Sequence, residues 1–134
     1  MTSQIIYKGK LRTEATHLQS GTILETDAPV DNNGNGERFS PTDIVATALG
    51  SCMLTIMGIK ARDLKVDLEG TEIGITKKMA SDPRRISGIQ VYFHFPEHIV
   101  ADEKQKIILE NAARTCPVAK SIHPDIELDI RFDW

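Results

Sequence analysis

Phe39-Ser40-Pro41-Thr42-Asp43-Ile44-Val45-Ala46-Thr47-Ala48-Leu49-Gly50-Ser51-Cys52-Met53 is the stretch on which the fold turns. Ser40 precedes an apolar run, and its hydroxyl can accept from the free N–H groups of a first helical turn. Pro41 suits the first helical position, where its missing N–H costs nothing. Asp43 stands where a capping-box carboxylate belongs. The pattern predicts a helix from about 41 to about 61. Its apolar residues, Ile44, Val45, Leu49, Met53, Leu54, Ile56, Met57 and Ile59, run nearly all the way round. A helix apolar on every side is expected to be buried on every side. Thr47, Ser51 and Thr55 recur every four residues and share a narrow strip of small side chains. Covering such a helix completely in a chain of 134 residues calls for a partner subunit, a first reason to expect a dimer.

Working outward, residues 4–17 mix β-branched and polar residues as one strand would, and Leu18-Gln19-Ser20-Gly21 reads as a turn before a short strand at 22–26. The cluster Asp31-Asn32-Asn33-Gly34-Asn35-Gly36 makes 28–39 a loop. Segments 64–79 and 86–95 are expected to form a hairpin around Asp82-Pro83-Arg84-Arg85, with Ile89, Val91, Phe93 and Phe95 facing inward. Residues 102–115 form a second helix with Asp102 as N-cap and a side carrying Ile108, Ala112 and Thr115. Pro117 ends it and can begin a short helix at 117–122 capped by Cys116. Residues 126–134 alternate without a break, as a strand does. The element order indicates a single α+β domain, 1–134, with an antiparallel sheet.

The bulk numbers exclude several classes. Net charge is −3 and the aromatic content 5%, with no Lys/Arg stripe that would mark a nucleic-acid binder. The N-terminal MTSQIIYKGK lacks a charged segment followed by an apolar one, so no signal peptide is expected. The run Ile44–Ile59 is too short and too rich in small residues for a membrane span. A cytoplasmic protein is expected, with no metal, flavin or haem.

The chemistry rests on two cysteines, Cys52 and Cys116, 64 residues apart. Cys52 lies mid-helix among Leu49, Thr55 and Ile56, where a cysteine is often a buried, inert packing residue. Cys116 sits at a helix N-terminus with Lys120 four residues on, a setting that lowers a thiol pKa. On these grounds alone Cys116 is the better nucleophile. If the thiols meet, one can be oxidised to a sulfenic acid and the other can close a disulfide. His94-Phe95-Pro96-Glu97-His98 carries the letters of an inverted zinc-protease motif, but Pro96 denies it the helix that chemistry needs. Met53, Met57 and Met79 read as core or pocket lining.

Residues 39–53 resemble the central-helix motif of the OsmC/Ohr family, a Ser/Asn-Pro start and a cysteine about eleven residues after the proline. Thr115-Cys116-Pro117-Val118 resembles its second motif, and the order of elements agrees along nearly the whole chain. The resemblance implies an intertwined α+β homodimer with a long buried central helix and active sites at the subunit interface. It implies a two-cysteine reduction of organic hydroperoxides, with Cys52 attacking, Cys116 resolving, and a dithiol or thioredoxin-like reductant resetting the pair. The family's hydroperoxide reductases place a Glu after the motif proline, paired with an N-terminal Arg. Here Thr42 follows Pro41, and Asp43 lies nine residues before Cys52. That is about 2.5 helical turns, which puts Asp43 on the opposite side of the helix, as a helix-start carboxylate. Arg12, Arg38 and His17 are the cationic candidates of the N-terminal region. The alternative reading is a non-catalytic dimeric stress-response module that holds a small lipid-like ligand at its interface. A weaker one is acyl transfer, opposed by the lack of an evident His base.

Overall fold

A two-residue turn that the sequence does not advertise divides the N-terminal segment into a hairpin. In the computed structural model, which describes residues 1–134, β1 (Ser3–Gly9) and β2 (Arg12–His17) pair antiparallel around Lys10 and Leu11. Both turn residues are left-handed, with φ of 50° and 62°. That is the geometry of the mirror-image hairpin turns, which usually carry Asn-Gly. Lys-Leu gives no such signal, so the single strand expected over 4–17 is two. β3 (Ile23–Asp27) adds to β2 and completes a three-stranded antiparallel sheet.

The loop after β3 contains one 3-10 turn, Val30–Asn32, and folds back on itself. The Gly34 N–H donates to the Pro29 carbonyl at 3.0 Å, and a Cβ on Gly34 would fall 1.6 Å from the Ala28 carbonyl oxygen. Position 34 therefore admits only glycine unless the loop moves. The loop is tied to the sheet by charge. The Arg12 guanidinium donates to both Asp27 carboxylate oxygens at 2.7 and 2.8 Å and to Glu37 at 2.7 Å. The Glu37 N–H also donates to Asp27 at 3.1 Å. Beside Arg12, the Asp27 carboxyl is held below its ordinary range.

The sign of the pH effect follows. A carboxyl depressed in the folded state adds stability above its unfolded pKa, and that stability is lost as pH falls through the folded value. Asp27→Asn is expected to be less stable than the unmodified protein at neutral pH. The gap should shrink as pH drops below about 4, the ordinary Asp range. Urea unfolding at a series of pH values reads this directly, and a gap that stays constant down to acid pH counts against the ion pair.

These strands, the loop and the start of the long helix form one compact unit, Met1–Val45; the second comprises Ala46–Trp134. The helix α1 (Pro41–Leu64) runs from the first into the second. Its start is a reciprocal cap: the Ser40 N–H and hydroxyl donate to the Asp43 carboxylate at 2.8 and 2.7 Å, and the Asp43 N–H donates back to the Ser40 hydroxyl at 3.2 Å. Asp43 is a helix-start carboxylate, as expected. Past Leu64, left-handed Lys65 lets the Val66 N–H close on the Ala61 carbonyl at 3.0 Å and ends the helix.

In the second unit α1 lies over a sheet of β4 (Glu72–Ser81), β5 (Arg84–His94) and β6 (Glu127–Asp133). Ala46, Leu49, Gly50, Met53, Met57 and Ala61 are buried, a stripe at spacings of three and four. Gly50 marks the closest approach, since a Cβ there would stand 2.6 Å from Ile75 Cδ1 on β4. Val45, Thr47, Ser51, Thr55 and Ile59 are exposed, so one chain by itself covers a single face of the helix. By length and apolarity α1 could cross a membrane, contrary to the expectation from 44–59, but its buried stripe makes it a core helix in this fold.

β4 and β5 pair antiparallel around the cis Asp82–Pro83 turn, whereas β5 and β6 run parallel. The expected antiparallel pairing thus holds at every strand pair but this one. A parallel return needs a crossover, and α2 (Glu103–Arg114) with α3 (Pro117–Ser121) supplies it. Asp102 caps α2 through a full capping box with Gln105. The buried side of α2 is Leu109 and Ala113, continued by Cys116, not Ile108, Ala112 and Thr115. Phe93 stacks on its register partner Phe132 at 4.7 Å and on Phe95 at 6.0 Å, and Trp134 stacks on Phe95 at 3.7 Å.

Candidate functional site

Cys116 owes its position to the break between two helices. α2 ends at Thr115, and the extended Cys116 (φ −62°, ψ 147°) turns the chain into α3, with Pro117 at its first position. The Cys116 sulfur caps α3 by accepting the Ala119 N–H at 3.3 Å. It is wholly buried, in one cluster with Leu49, Met53, Met57, Leu109 and Ala113.

Cys52 reaches the same place from the middle of α1. It is half-buried and packs against that cluster, as do Val118, Ala119 and Ile122. Its thiol is a hydrogen-bonding neighbour of Cys116, and both cysteines are free. The fold thus brings together two thiols 64 residues apart in sequence.

Their surroundings overturn one sequence expectation. Burial pushes the Cys116 thiol above its ordinary value. The Ala119 N–H pulls it down, the neighbouring Cys52 adds to the rise, and the Val118 N–H opposes it, with a net upward shift. Two amide contacts at the start of a five-residue helix do not offset desolvation beside a second sulfur. Lys120, expected to add positive charge, is exposed and has no part in that balance. Cys116 is therefore a poor choice for the more acidic thiol.

The cationic candidates of the N-terminal region are all engaged within the first unit. Arg12 binds Asp27 and Glu37, Arg38 binds Glu25 at 2.8 Å, and the His17 ring bonds to Ser20 at 2.7 Å. A polar cavity of about 290 Å³ lies there too, lined by Lys8, Lys10, Arg12, Glu25 and Asn35. Nothing in the composition pointed to it, because its residues come from separate strands and a loop. His94 is on β5 and bonded to Asp133 at 2.9 Å, with no helix through 94–98, so the zinc-motif letters carry no zinc geometry.

Comparison with known proteins agrees with this architecture. A family model described as OsmC-like protein matches residues 34–131. A candidate osmotic-stress-induced and detoxification-response protein from Psychrobacter arcticus is 55% identical over 98% of this chain and 95% of its own, with a TM-score of 0.94. An organic hydroperoxide resistance protein from Legionella pneumophila is 15% identical, covering 100% of this chain and 98% of its own, with a TM-score of 0.76. A candidate organic hydroperoxide resistance protein from Vibrio cholerae, with captopril in one of its active sites, is 15% identical over 99% and 92%, with a TM-score of 0.74. The last two, at that identity, bear on the fold alone. No curated protein matches the sequence.

Proposed function

The chain belongs to the OsmC-like family, and on that premise we propose that it is a two-cysteine peroxidase that reduces organic hydroperoxides. The family is linked to hydroperoxide resistance and oxidative stress, and its members are generally dimeric. The observation that carries the reading is the contact between Cys52 and Cys116 in the fold.

Roles follow from exposure. Cys52 is half-buried and can be reached, while Cys116 is wholly buried. Cys52, as thiolate, attacks the distal peroxide oxygen, the O–O bond breaks, and an alcohol leaves. Cys116 then attacks the Cys52 sulfenic acid, water leaves, and a disulfide forms. A dithiol or thioredoxin-like reductant restores both thiols. The apolar neighbours Leu49, Ile56, Val118 and Ile122 favour an organic peroxide over hydrogen peroxide. The working form is a cytoplasmic homodimer whose second subunit covers the exposed face of α1.

Mass spectrometry after brief treatment of the reduced protein with one equivalent of cumene hydroperoxide tests the reading. The expected product has lost the mass of two hydrogens, mapped to a Cys52–Cys116 bridge. An unchanged mass, or slow scattered oxidation, sinks it and favours the ligand-binding alternative.

A further inference from the structure

The hydrogen bonds around Cys116 give it a polarity that a resolving thiol alone would not need. A cysteine sulfur is a weak acceptor and its S–H a weak donor. Here the Ala119 N–H, at 3.3 Å, and the Val118 N–H both point into the Cys116 sulfur, occupying it as an acceptor. Its remaining polar neighbour is Cys52. The geometry points to a second task for Cys116, one that rests on the two-cysteine reading: its S–H donates to the Cys52 sulfur, holds it as a thiolate, and then passes that proton to the alkoxide leaving the peroxide.

Other charges do not take this part. The charged side chain of α3 is Lys120, which is exposed. At the end of α2, Glu110 accepts from the Trp134 indole at 2.9 Å and Arg114 lies over the Phe132 ring at 5.2 Å. On α1 the nearest charged residues to Cys52 are Lys60 and Asp43, each more than two turns away along the helix. Burial makes Cys116 the thiol that keeps its proton, consistent with its upward shift. An ionised acceptor makes the bond between the two sulfurs charge-assisted and therefore stronger.

The step balances. The Cys52 thiolate forms an S–O bond to the distal oxygen, the O–O bond breaks, and the alkoxide takes the Cys116 proton and departs as alcohol. Cys52 is oxidised to sulfenic acid, the peroxide is reduced, and Cys116 is left as a thiolate. That thiolate faces the sulfenic sulfur. It forms the S–S bond as the S–O bond breaks, and the departing hydroxide takes a proton from solvent to leave as water. Val118 and Ala119 act as positioning groups, through their backbone N–H groups.

Two variants of the whole protein test this, Cys116→Ala and Cys116→Ser. The first readout is the pH dependence of Cys52 alkylation by iodoacetamide. The second is the initial rate of sulfenic acid formation with cumene hydroperoxide, trapped with dimedone. Cys116→Ala is expected to raise the alkylation midpoint by about one pH unit and to slow sulfenic acid formation at neutral pH about tenfold. Cys116→Ser, which keeps a hydroxyl donor, should restore the midpoint. A thiol that only resolves would leave the midpoint and first-step rate of both variants at the unmodified values, and that outcome overturns the proposal. Should a variant fail to fold, mass-mapped alkylation of the unmodified protein serves instead: Cys52 must react first, and Cys116 reacting first overturns it. A midpoint shift without any trapped sulfenic acid in the unmodified protein would uphold the hydrogen bond and remove the peroxidase reading.

Discussion

Cys52→Ser is expected to abolish hydroperoxide consumption, lowering the rate on the order of a thousandfold or more, as loss of a covalent nucleophile does. The thiolate is the reactive species, and a serine hydroxyl does not ionise at neutral pH. Cys116 cannot stand in for it. It is wholly buried and its thiol is pushed above its ordinary pKa, so it offers a peroxide neither access nor a ready thiolate. The substitution changes one atom at a half-buried site, so near-ultraviolet circular dichroism should stay as it is while activity disappears. Peroxide consumption followed with cumene hydroperoxide and excess dithiothreitol checks this. A Cys52→Ser protein that still turns over at the unmodified rate removes the mechanism.

The second large effect is on stability. Phe93→Ala is expected to cost about 3–5 kcal/mol, the usual result of emptying an aromatic site in a packed core. Phe93 is 1% exposed and faces its register partner Phe132 across the single parallel pairing of the sheet. Removing the ring takes a contact from both strands and from Phe95 together. In a chain of this size that loss lowers the thermal midpoint by roughly 10–20 °C. Tyr92→Ala, next in the strand but 38% exposed on the outer face, is the control and should cost far less. Calorimetry of the two variants decides it; equal losses would mean that β5 does not present Phe93 to the core as described.

What was legible in the sequence was local. Ser40, Pro41 and Asp43 announce the start of α1, and they form the reciprocal cap they promise. The alternation through Ile89, Val91 and Phe93 places β5, and Cys116-Pro117 places the break between α2 and α3. What was not legible depended on partners far along the chain. Ile107, Ile108 and Leu109 are consecutive, so the pattern could not set the phase of α2. Packing selected Leu109, Ala113 and Cys116. The direction of β6 was hidden because alternation marks a strand without naming its neighbour. At the site, the two motifs named the right pair of thiols to compare. The sequence pointed to Cys116 as the more acidic one because a helix start is visible in sequence and complete burial is not.

The Lys10-Leu11 turn bears on the order in which the N-terminal sheet assembles. Two left-handed residues with side chains are unfavourable in isolation. The turn leans on contacts from outside itself: the Tyr7 hydroxyl accepts the Leu11 N–H at 3.2 Å, and the Ala28 N–H donates to the Leu11 carbonyl at 3.1 Å. Such a turn is a poor nucleus, because its last support arrives only when the end of β3 is in place. The hairpin is therefore a late event in folding, recruited by the strand that follows it, and the N-terminal unit condenses from its third strand backwards.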